Sequence, residues 1–312
     1  MKGCNLLVVL GPTASGKTPL GVELARRFGG EIISADSRQV FRGMDLGSGK
    51  DLAEYGAVPH HLIDIRDAGG EFSVFDFQRA FLAAYADIRA RGRLPVLVGG
   101  TGLYLDAVLR GYRLVEVPEN PALRRELAAL DVSALRARLQ RLRPAQHNTT
   151  DVLERERLVR AIEIAEGEAA AAAALPPLPK IRPLVFGLRW DRARLRERIA
   201  RRLRERLAQG MVDEVARLHA AGIPWERLEY YGLEYRFIAR HLQGELGPEE
   251  MAQQLTTAIG QFAKRQETFF RRMERQGVEI HWVEGGGEAL EEVLRVTRRM
   301  RIFPLAGEGE VV

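Results

Sequence analysis

The sequence has almost no cysteine, and Cys4 is the single one among 312 residues. One cysteine cannot form an internal disulfide, and it excludes zinc sites built from several thiolates. No apolar stretch approaches the ~20 residues that a membrane-spanning helix needs. The start Met1-Lys2-Gly3 also differs from a secretory signal. We therefore expect a cytoplasmic protein with no membrane partner.

Charge of one sign is not in large excess either. Lysine and arginine number 47 against 42 aspartate and glutamate, so the net charge is +5, and most of the cations are arginine. Arginine pairs with phosphate in a bidentate manner, so this balance favours a phosphate-bearing partner. The excess is small, and it is only weak evidence for nucleic acid. The length allows one large domain or a domain with an inserted lobe.

The strongest motif present is Gly-Pro-Thr-Ala-Ser-Gly-Lys-Thr at residues 11–18, between an apolar run and a helical pattern. A strand, a glycine-rich loop ending in Lys-Thr and a helix are the order that a P-loop requires. Lys17 would reach a terminal phosphate, and the Thr18 hydroxyl would bind a Mg²⁺ ion that bridges phosphate oxygens. The predicted diphosphate-binding residues are Gly11, Thr13, Ala14, Ser15, Gly16, Lys17 and Thr18.

Alternating strand and helix patterns predict an α/β fold, a P-loop NTPase-like parallel sheet flanked by helices. Strands are predicted at residues 5–10, 31–35, 60–65, 94–98, 181–188 and 278–283. Helices are predicted at 19–28, 73–91, 103–109, 123–140, 152–166, 192–209, 249–273 and 288–301. Asp36 and Thr101 each follow a strand, as the P-loop does. Because the carboxyl ends of parallel strands share one edge, these groups should converge there.

The character of the sequence changes after residue 118. Arginine-rich helical patterns appear without any strand signal, and an alanine run and a proline-rich segment at 175–179 follow them. Such a segment is typical of a tether. We therefore expect a P-loop core with C-terminal helices from residues 1–118 and 181–312, with an inserted all-helical lobe at 119–180.

The residues leave several readings open. A GTPase would need Asp-x-x-Gly and Asn-Lys-x-Asp, which are missing, whereas a small-molecule kinase using ATP remains possible. Asp36 could hold metal or cap a helix, and Thr101 could be a plain turn residue. His60 and His61 are expected to be structural. The arginines of 124–141 and 192–206 could be solvated helix surface.

One set of aromatic residues is assigned to the core. Phe262, Phe269 and Phe270 form the apolar face of the helix that carries Lys264-Arg265-Gln266, so we expect them to pack inside rather than to stack on bases.

Seven segments stand in an order typical of one enzyme family. They are GPTASGKT (11–18), ADSRQVF (35–41), GMDLGSGK (43–50), PHHLIDI (59–65), VGGTGLYL (98–105), RLVRAIEI (157–164) and AKRQETFFR (263–271). With this ordered set, from about residue 5 to about residue 272, the sequence resembles the tRNA dimethylallyltransferase (tRNA isopentenyltransferase) family, as a divergent member.

The resemblance implies transfer of a dimethylallyl group from dimethylallyl diphosphate to N6 of the adenosine adjacent to the tRNA anticodon, with Mg²⁺ as cofactor. A diphosphate then leaves carbon, so the P-loop serves to stabilise a leaving group. The resemblance implies that Asp36 is the general base and that Thr101 and Lys17 assist. The residues implied to bind the tRNA anticodon stem-loop are Asp36, Ser37, Arg38, Gln39, Thr101, Arg124, Arg157 and Arg160. We expect the enzyme to act as a monomer.

The sequence departs from the family pattern at three places. Phe41 replaces a tyrosine, and Leu153-Glu154 replaces an Asn-Asp element. The stretch at 229–235, Glu-Tyr-Tyr-Gly-Leu-Glu-Tyr, carries carboxylates where the family has cationic or neutral groups. Since carboxylates repel an RNA backbone, the acceptor half of the site is altered. Prenyl transfer to a free adenine nucleotide or to another RNA site therefore remains an alternative.

Overall fold

A computed structural model describes residues 3–142, 155–171 and 177–299. In this part of the chain two compact units are distinguished, Met1–Arg110 with Lys180–Val312, and Gly111–Pro179. We call the first unit the core and the second the insertion. None of the described helices is long and apolar enough to cross a membrane.

The core contains a six-stranded, entirely parallel sheet with the order β3-β2-β4-β1-β5-β6. This confirms the predicted fold class. The strands are β1 (Leu6–Leu10), β2 (Gly30–Ala35), β3 (His60–His61), β4 (Leu94–Gly99), β5 (Pro183–Arg189) and β6 (His281–Glu284). Every residue of β1, β2 and β4 is buried, because helices cover both faces of the sheet. The sequences of β1 and β4 are accordingly apolar throughout, whereas β2 also buries Glu31 and Ser34.

Two helices, α1 and α12, pack on one face of the sheet, and three, α2, α3 and α11, pack on the other. A third core cluster joins α7, α8, α9, α10 and α11 to the loop after β2. The core helices are α1 (Lys17–Phe28), α2 (Val74–Ala90), α3 (Gly102–Leu109), α7 (Arg192–Ala208), α8 (Met211–Ala220), α9 (Trp225–Tyr230), α10 (Leu233–Leu242), α11 (Pro248–Arg275) and α12 (Ala289–Arg299).

The insertion contains helices only in its described residues: α4 (Pro121–Ala128), α5 (Val132–Leu142) and α6 (Arg155–Ala171). The single helix predicted over 123–140 is wrong. The chain breaks after α4, and the carboxylate of Asp131 accepts a hydrogen bond from the Ala134 N–H at 2.7 Å, which starts a new helix. Residues 148–154 and 172–176 lie outside the described part, with the Leu153-Glu154 departure and part of the predicted tether.

The third strand is shorter than the predicted 60–65. Leu62 and Asp64 adopt the left-handed region with φ of 65° and 54°, so the strand ends at His61. The Asp64 and Ile65 N–H groups donate instead to Gln39 and Val40 carbonyls at 3.1 and 2.9 Å. The chain after β3 therefore supports the turn that follows β2.

The histidines of this strand are structural, as expected. His61 Nε2 lies 2.7 Å from the buried Glu31 carboxylate, and the His60 ring packs on Tyr55 with centroids 4.7 Å apart. Neither histidine lines the pocket described next.

Candidate active site

The carboxyl edge of the sheet opens into a pocket of about 480 Å³ in the core. The P-loop, the turn after β2, the loop after β4 and helix α7 all line it. Its walls include Thr13, Ala14, Ser15, Gly16, Lys17, Thr18, Asp36, Ser37, Arg38, Gln39, Gly47, Ser48, Asp51, Thr101, Arg198, Arg202, Arg206, Glu234, Phe262 and Gln266. The structure thus brings Lys17, Asp36 and Thr101 together, as their positions after three parallel strands predict.

The P-loop wall consists of residues 13–18, whereas Gly11, which was also predicted to bind the diphosphate, does not line the pocket. Gly16, with φ of 88°, is the N-cap residue of α1, and no described side chain caps this helix. The first N–H groups of α1 are therefore available to an anion, and the helix dipole favours one there. The Ser15 hydroxyl is buried and has no hydrogen-bond partner among the described residues. This orphaned oxygen fits a loop that is completed by a ligand.

Lys17 lies in the floor of the pocket and donates to the Pro12 carbonyl at 3.2 Å. Burial lowers the pKa of Lys17 to about 8, although the nearby Asp36 carboxylate acts in the opposite direction. The ammonium is thus charged near neutral pH but destabilised by its surroundings. A bound polyphosphate would place negative charge beside the ammonium and so offset the hydration that it loses on burial.

Gln266 of α11 holds the P-loop from behind. Its Oε1 accepts from the Thr13 N–H at 2.8 Å, and its Nε2 donates to the Gly100 carbonyl at 2.9 Å. The side chain therefore connects the loop after β1 to the loop after β4. It was not among the predicted site residues, although it falls within the family-like segment 263–271.

Trp190 and Arg198 hold the P-loop from the opposite side. Trp190 Nε1 donates to the Ser15 carbonyl at 2.9 Å, and Arg198 Nε donates to the Ala14 carbonyl at 2.8 Å. The Arg198 guanidinium also lies over the Trp190 ring, 4.4 Å from its centroid. Arg198 is thereby fixed beside the phosphate loop.

Asp36 and Thr101 are joined through the turn after β2. Asp36 Oδ1 accepts from the Arg38 N–H at 2.9 Å, and Thr101 Oγ1 accepts from the Ser37 N–H at 3.1 Å. Asp36 therefore caps a turn and not a helix. Thr101 occupies the N-cap position of α3, but its side chain makes no capping bond and accepts the Ser37 N–H instead.

Gly99 sets how closely these two segments approach. A Cβ at this position would lie 2.2 Å from the Ala35 carbonyl oxygen, so only glycine allows β4 to end against β2. The Thr101 N–H then donates to the same carbonyl at 3.2 Å. The contact places Thr101 directly beside Asp36.

Gln39 is buried and its carboxamide is already engaged. Its Oε1 accepts from the Ser34 hydroxyl at 2.9 Å, and its Nε2 donates to the Gly49 carbonyl at 3.1 Å. One donor hydrogen and one lone pair remain for an adenine edge, the predicted partner of this residue.

The arginine wall, which consists of Arg198, Arg201, Arg202 and Arg206 of α7, faces the P-loop wall. Solvent exposure was the alternative reading for these residues, and it is wrong for Arg206, which is buried. They occur at spacings of three and four, so they share a face that adjoins the buried stripe of Leu195, Ile199 and Leu203.

Asp51 fixes two members of the arginine wall. Arg202 Nη2 lies 2.6 Å and Arg206 Nη2 lies 2.9 Å from its Oδ2. Burial alone would raise the pKa of Asp51, but the two guanidinium groups lower it overall. These ion pairs attach the loop at residues 43–51 to α7.

Glu214 of α8 holds the middle of that loop. Its carboxylate is buried and accepts from the N–H groups of Asp45, Leu46 and Gly47 at 2.9, 2.7 and 3.0 Å. The Tyr235 hydroxyl donates a fourth bond at 2.8 Å. Sequence patterns did not indicate this clamp, because Glu214 and the loop that it holds are more than 160 residues apart in the chain.

Lys50, which ends the glycine-rich loop, is fully buried. Its ammonium donates to the Phe41 carbonyl at 2.6 Å and pairs with the carboxylates of Asp45 and Asp64. The basic end of the loop therefore has a structural role and does not face a ligand.

Glu234, the carboxylate in the departing stretch 229–235, lines the pocket. Burial raises its pKa, and Arg206 and Arg202 partly offset that effect. A buried arginine therefore accompanies the acidic substitution, which limits its repulsion of an anionic ligand.

The three aromatic residues of α11 have separate positions. Phe270 is fully buried, and Phe269 packs against the core, as predicted. Phe262 is 39% exposed and lines the pocket, so its assignment to the core is wrong. The helix turns this residue toward the pocket because it lies one turn before Gln266.

In the insertion, two predicted RNA-binding arginines meet one buried carboxylate. Arg124 pairs with Glu163 at 2.8 Å and Arg160 pairs with it at 3.0 Å, and Arg157 is exposed. Burial alone would raise the pKa of Glu163, but hydrogen bonds from Arg124 and the Asn120 N–H lower it to about 2. Both guanidinium groups remain more than one-third exposed.

Comparison with known proteins finds matches over most of the chain. A model of the IPP transferase family matches residues 39–273, and a model described as isopentenyl transferase matches residues 4–57. The tRNA dimethylallyltransferase 2 of Syntrophotalea carbinolica is 67% identical over 293 residues, which cover 94% of this chain and 98% of that protein. The tRNA dimethylallyltransferase 1 of Geotalea uraniireducens is 63% identical over 295 residues, covering 95% and 97%.

A solved structure is similar over the same extent. The full-length tRNA isopentenylpyrophosphate transferase from Bacillus halodurans superposes with a TM-score of 0.70 at 34% identity, covering 95% of each chain. The family match therefore extends across both the P-loop and the C-terminal helices.

Proposed function

This chain belongs to the IPP transferase family, and we propose that it transfers the dimethylallyl group of dimethylallyl diphosphate to N6 of the adenosine adjacent to a tRNA anticodon. The observation that carries the proposal is one pocket that holds both a P-loop and a carboxylate, Asp36. A leaving diphosphate and an attacking amine need these two groups on opposite sides of one carbon atom.

The P-loop wall and the arginine wall bind the donor. Lys17, the first N–H groups of α1 and Arg198 surround the position of a diphosphate, where negative charge grows as the carbon–oxygen bond breaks. Charged and hydrogen-bonding groups fixed in advance stabilise that charge without rearrangement. The P-loop is held in place by Gln266, Trp190 and Arg198, and these contacts give it the rigidity that this role requires.

The residues present fit a magnesium ion held chiefly by the substrate. Among the described residues no group of three or more histidine, cysteine or carboxylate side chains forms a metal site, whereas the Thr18 hydroxyl lines the pocket. Mg²⁺ commonly binds through substrate phosphates, water and few protein ligands. When bound at Thr18, it would neutralise charge on the leaving diphosphate.

Asp36 takes the proton from the acceptor. The N6 amine attacks the carbon that bears the diphosphate, so a nitrogen–carbon bond forms while the carbon–oxygen bond breaks. N6 then carries an excess proton, which passes to the Asp36 carboxylate. Thr101 lies beside this carboxylate through their shared turn. The adenosine reaches the pocket by leaving its stack, as bases do in enzymes that modify them.

The insertion, expected at residues 119–180, contacts the anticodon arm in this proposal. Arg124, Arg157 and Arg160 supply guanidinium groups for its phosphates, and Glu163 orients two of them. Ser37, Arg38 and Gln39 contact the acceptor nucleotide. The enzyme acts as a cytoplasmic monomer.

Labelled dimethylallyl diphosphate, incubated with the protein and bulk tRNA, tests the proposal. We expect label in tRNA, and nucleoside mass spectrometry should locate it on an adenosine next to the anticodon. Asp36→Asn should lower the single-turnover rate about hundredfold or more while donor binding persists. Label in free adenine nucleotides alone, or phosphoryl transfer from ATP without prenyl transfer, would contradict the proposal.

A further inference from the structure

Tyr230, at the end of α9, is a large aromatic residue that is exposed to solvent. It is 55% exposed, whereas its neighbour Tyr231 is fully buried and exchanges hydrogen bonds with the backbone of Gly69 and Gly70 at 2.7 Å. The anchored Tyr231 therefore fixes the backbone from which the Tyr230 ring projects. The ring is exposed on a rigid support.

Two guanidinium groups accompany the ring. Arg38 Cζ lies 5.4 Å and Arg227 Cζ lies 5.5 Å from the Tyr230 centroid. Arg227 is held in turn by the Glu71 carboxylate at 3.0 Å. More than half of the tyrosine stays exposed beside both cations, so the ring keeps area for a further planar group. Aromatic and guanidinium planes together are the surfaces on which RNA bases stack.

The ring also lies at the rim of the pocket. Arg38 lines the pocket, and its backbone N–H binds Asp36. Its Nε would lie 3.8 Å from a Cβ added to Gly232, which also lines the pocket. The Arg38 side chain therefore passes over Gly232 and reaches from the predicted base, Asp36, to the Tyr230 ring.

We propose that Tyr230, with Arg38 and Arg227, stacks on the base of the nucleotide next to the extruded acceptor adenosine. This inference rests on the proposed function. Extrusion of the adenosine removes one stacking partner from its neighbour in the RNA strand, and the tyrosine ring replaces it. A cationic aromatic surface fits a base joined to phosphates, and its position fits a nucleotide adjacent to the one at Asp36.

The test uses the full chain and anticodon stem-loop RNAs that carry 2-aminopurine on one or the other side of the acceptor adenosine. Tyr230→Ala should weaken RNA binding about tenfold, since stacking contributes about 1–3 kcal/mol per base. Tyr230→Phe should bind like the parent protein. Phe75→Ala is the matched control. Arg79 Cζ lies 5.5 Å from the centroid of the Phe75 ring, and Phe75 does not line the pocket.

Two further readouts separate this role from general destabilisation. With the parent protein the fluorescence of one labelled RNA should fall on binding, and Tyr230→Ala should abolish that change at saturating RNA. Its KM for dimethylallyl diphosphate should stay within about twofold of the parent value, because Tyr230 does not line the pocket. Equal RNA affinity of Tyr230→Ala and the parent enzyme, while the parent prenylates tRNA, would overturn this inference alone. Failure of the parent to prenylate tRNA would overturn the proposed function with it.

Discussion

The P-loop wall and the arginine wall of the pocket face one another and are built in different ways. The P-loop wall presents backbone N–H groups and Lys17 from six consecutive residues, which distant side chains then hold in place. The arginine wall presents long side chains whose positions depend on Asp51 and the Ala14 carbonyl, far away in the chain. One wall is thus built on a local motif, whereas the other depends on contacts between distant parts of the chain.

The largest expected effect comes from the P-loop wall. Lys17→Ala should lower kcat/KM for dimethylallyl diphosphate about thousandfold, because it removes a positive charge placed where the leaving group gains negative charge. Lys17→Arg should retain part of the activity. Single-turnover prenyl transfer measures both variants. A loss below about tenfold for Lys17→Ala would mean that the arginine wall carries the charge stabilisation.

The second-largest effect concerns Glu214, which holds the loop at residues 43–51 that pairs with the arginine wall. Glu214→Ala leaves three backbone N–H groups without their acceptor, so it should lower the free energy of unfolding by about 3 kcal/mol. Tyr235→Phe removes a single hydrogen bond to the same carboxylate and should lower it by about 1 kcal/mol. Urea titration measures both. Equal effects of the two variants would contradict the clamp.

Arg198→Ala should raise KM for dimethylallyl diphosphate about thirtyfold, since one charge-assisted contact contributes about 2 kcal/mol. Arg196→Ala provides the control on the same helix, because Arg196 is exposed and does not line the pocket. Its KM should stay within about twofold of the parent value. If the two variants behave alike, the arginine wall does not contact the donor.

The smallest expected effect is a pH dependence of donor binding, which arises from Lys17 in the P-loop wall. The lowered pKa of Lys17, about 8, means that the unliganded protein loses this charge as pH rises through that value. The donor is already ionised there, so its dissociation constant should rise about fivefold between pH 8 and pH 9. Lys17→Arg should show a flat profile over this range. Calorimetric titration checks both, and a flat profile for the parent protein would refute the assignment.

The stability of the protein should depend on pH in the opposite direction to donor binding. The lowered pKa of Lys17 means that the unfolded chain binds more protons between the folded value, about 8, and the ordinary value of 10.5. Stability should therefore increase with pH across this window, as far as Lys17 contributes. Lys17→Met should lack that contribution.

The difference between the walls also explains what the sequence could predict. The sheet and the P-loop follow from consecutive residues, and so does the position of Asp36 and Thr101 after their strands. Which face of α7 meets the pocket is decided by contacts with Ala14 and Asp51, so its arginines could not be told from solvated ones. Phe262 was misplaced for the same reason: periodicity identifies a helix face but not its neighbours.

Short elements were the other source of error. The strand predicted at 60–65 contains two residues, because left-handed backbone at Leu62 and Asp64 ends it. Helices α8, α9 and α10 have 10, 6 and 10 residues, too few for periodicity to separate them from loops. They nevertheless carry Glu214 and Tyr235, which hold the loop at residues 43–51, and Tyr230, the exposed ring beside the pocket.

The contacts of the P-loop have a consequence for protein synthesis. The loop emerges from the ribosome among the first twenty residues, yet the side chains that brace it, Trp190, Arg198 and Gln266, emerge in the last two-fifths of the chain. A nascent chain that ends before Trp190 carries the motif without any of these three contacts, and one that ends before Gln266 still lacks the last of them. We therefore expect the P-loop to reach its final geometry only after most of the chain has been synthesised.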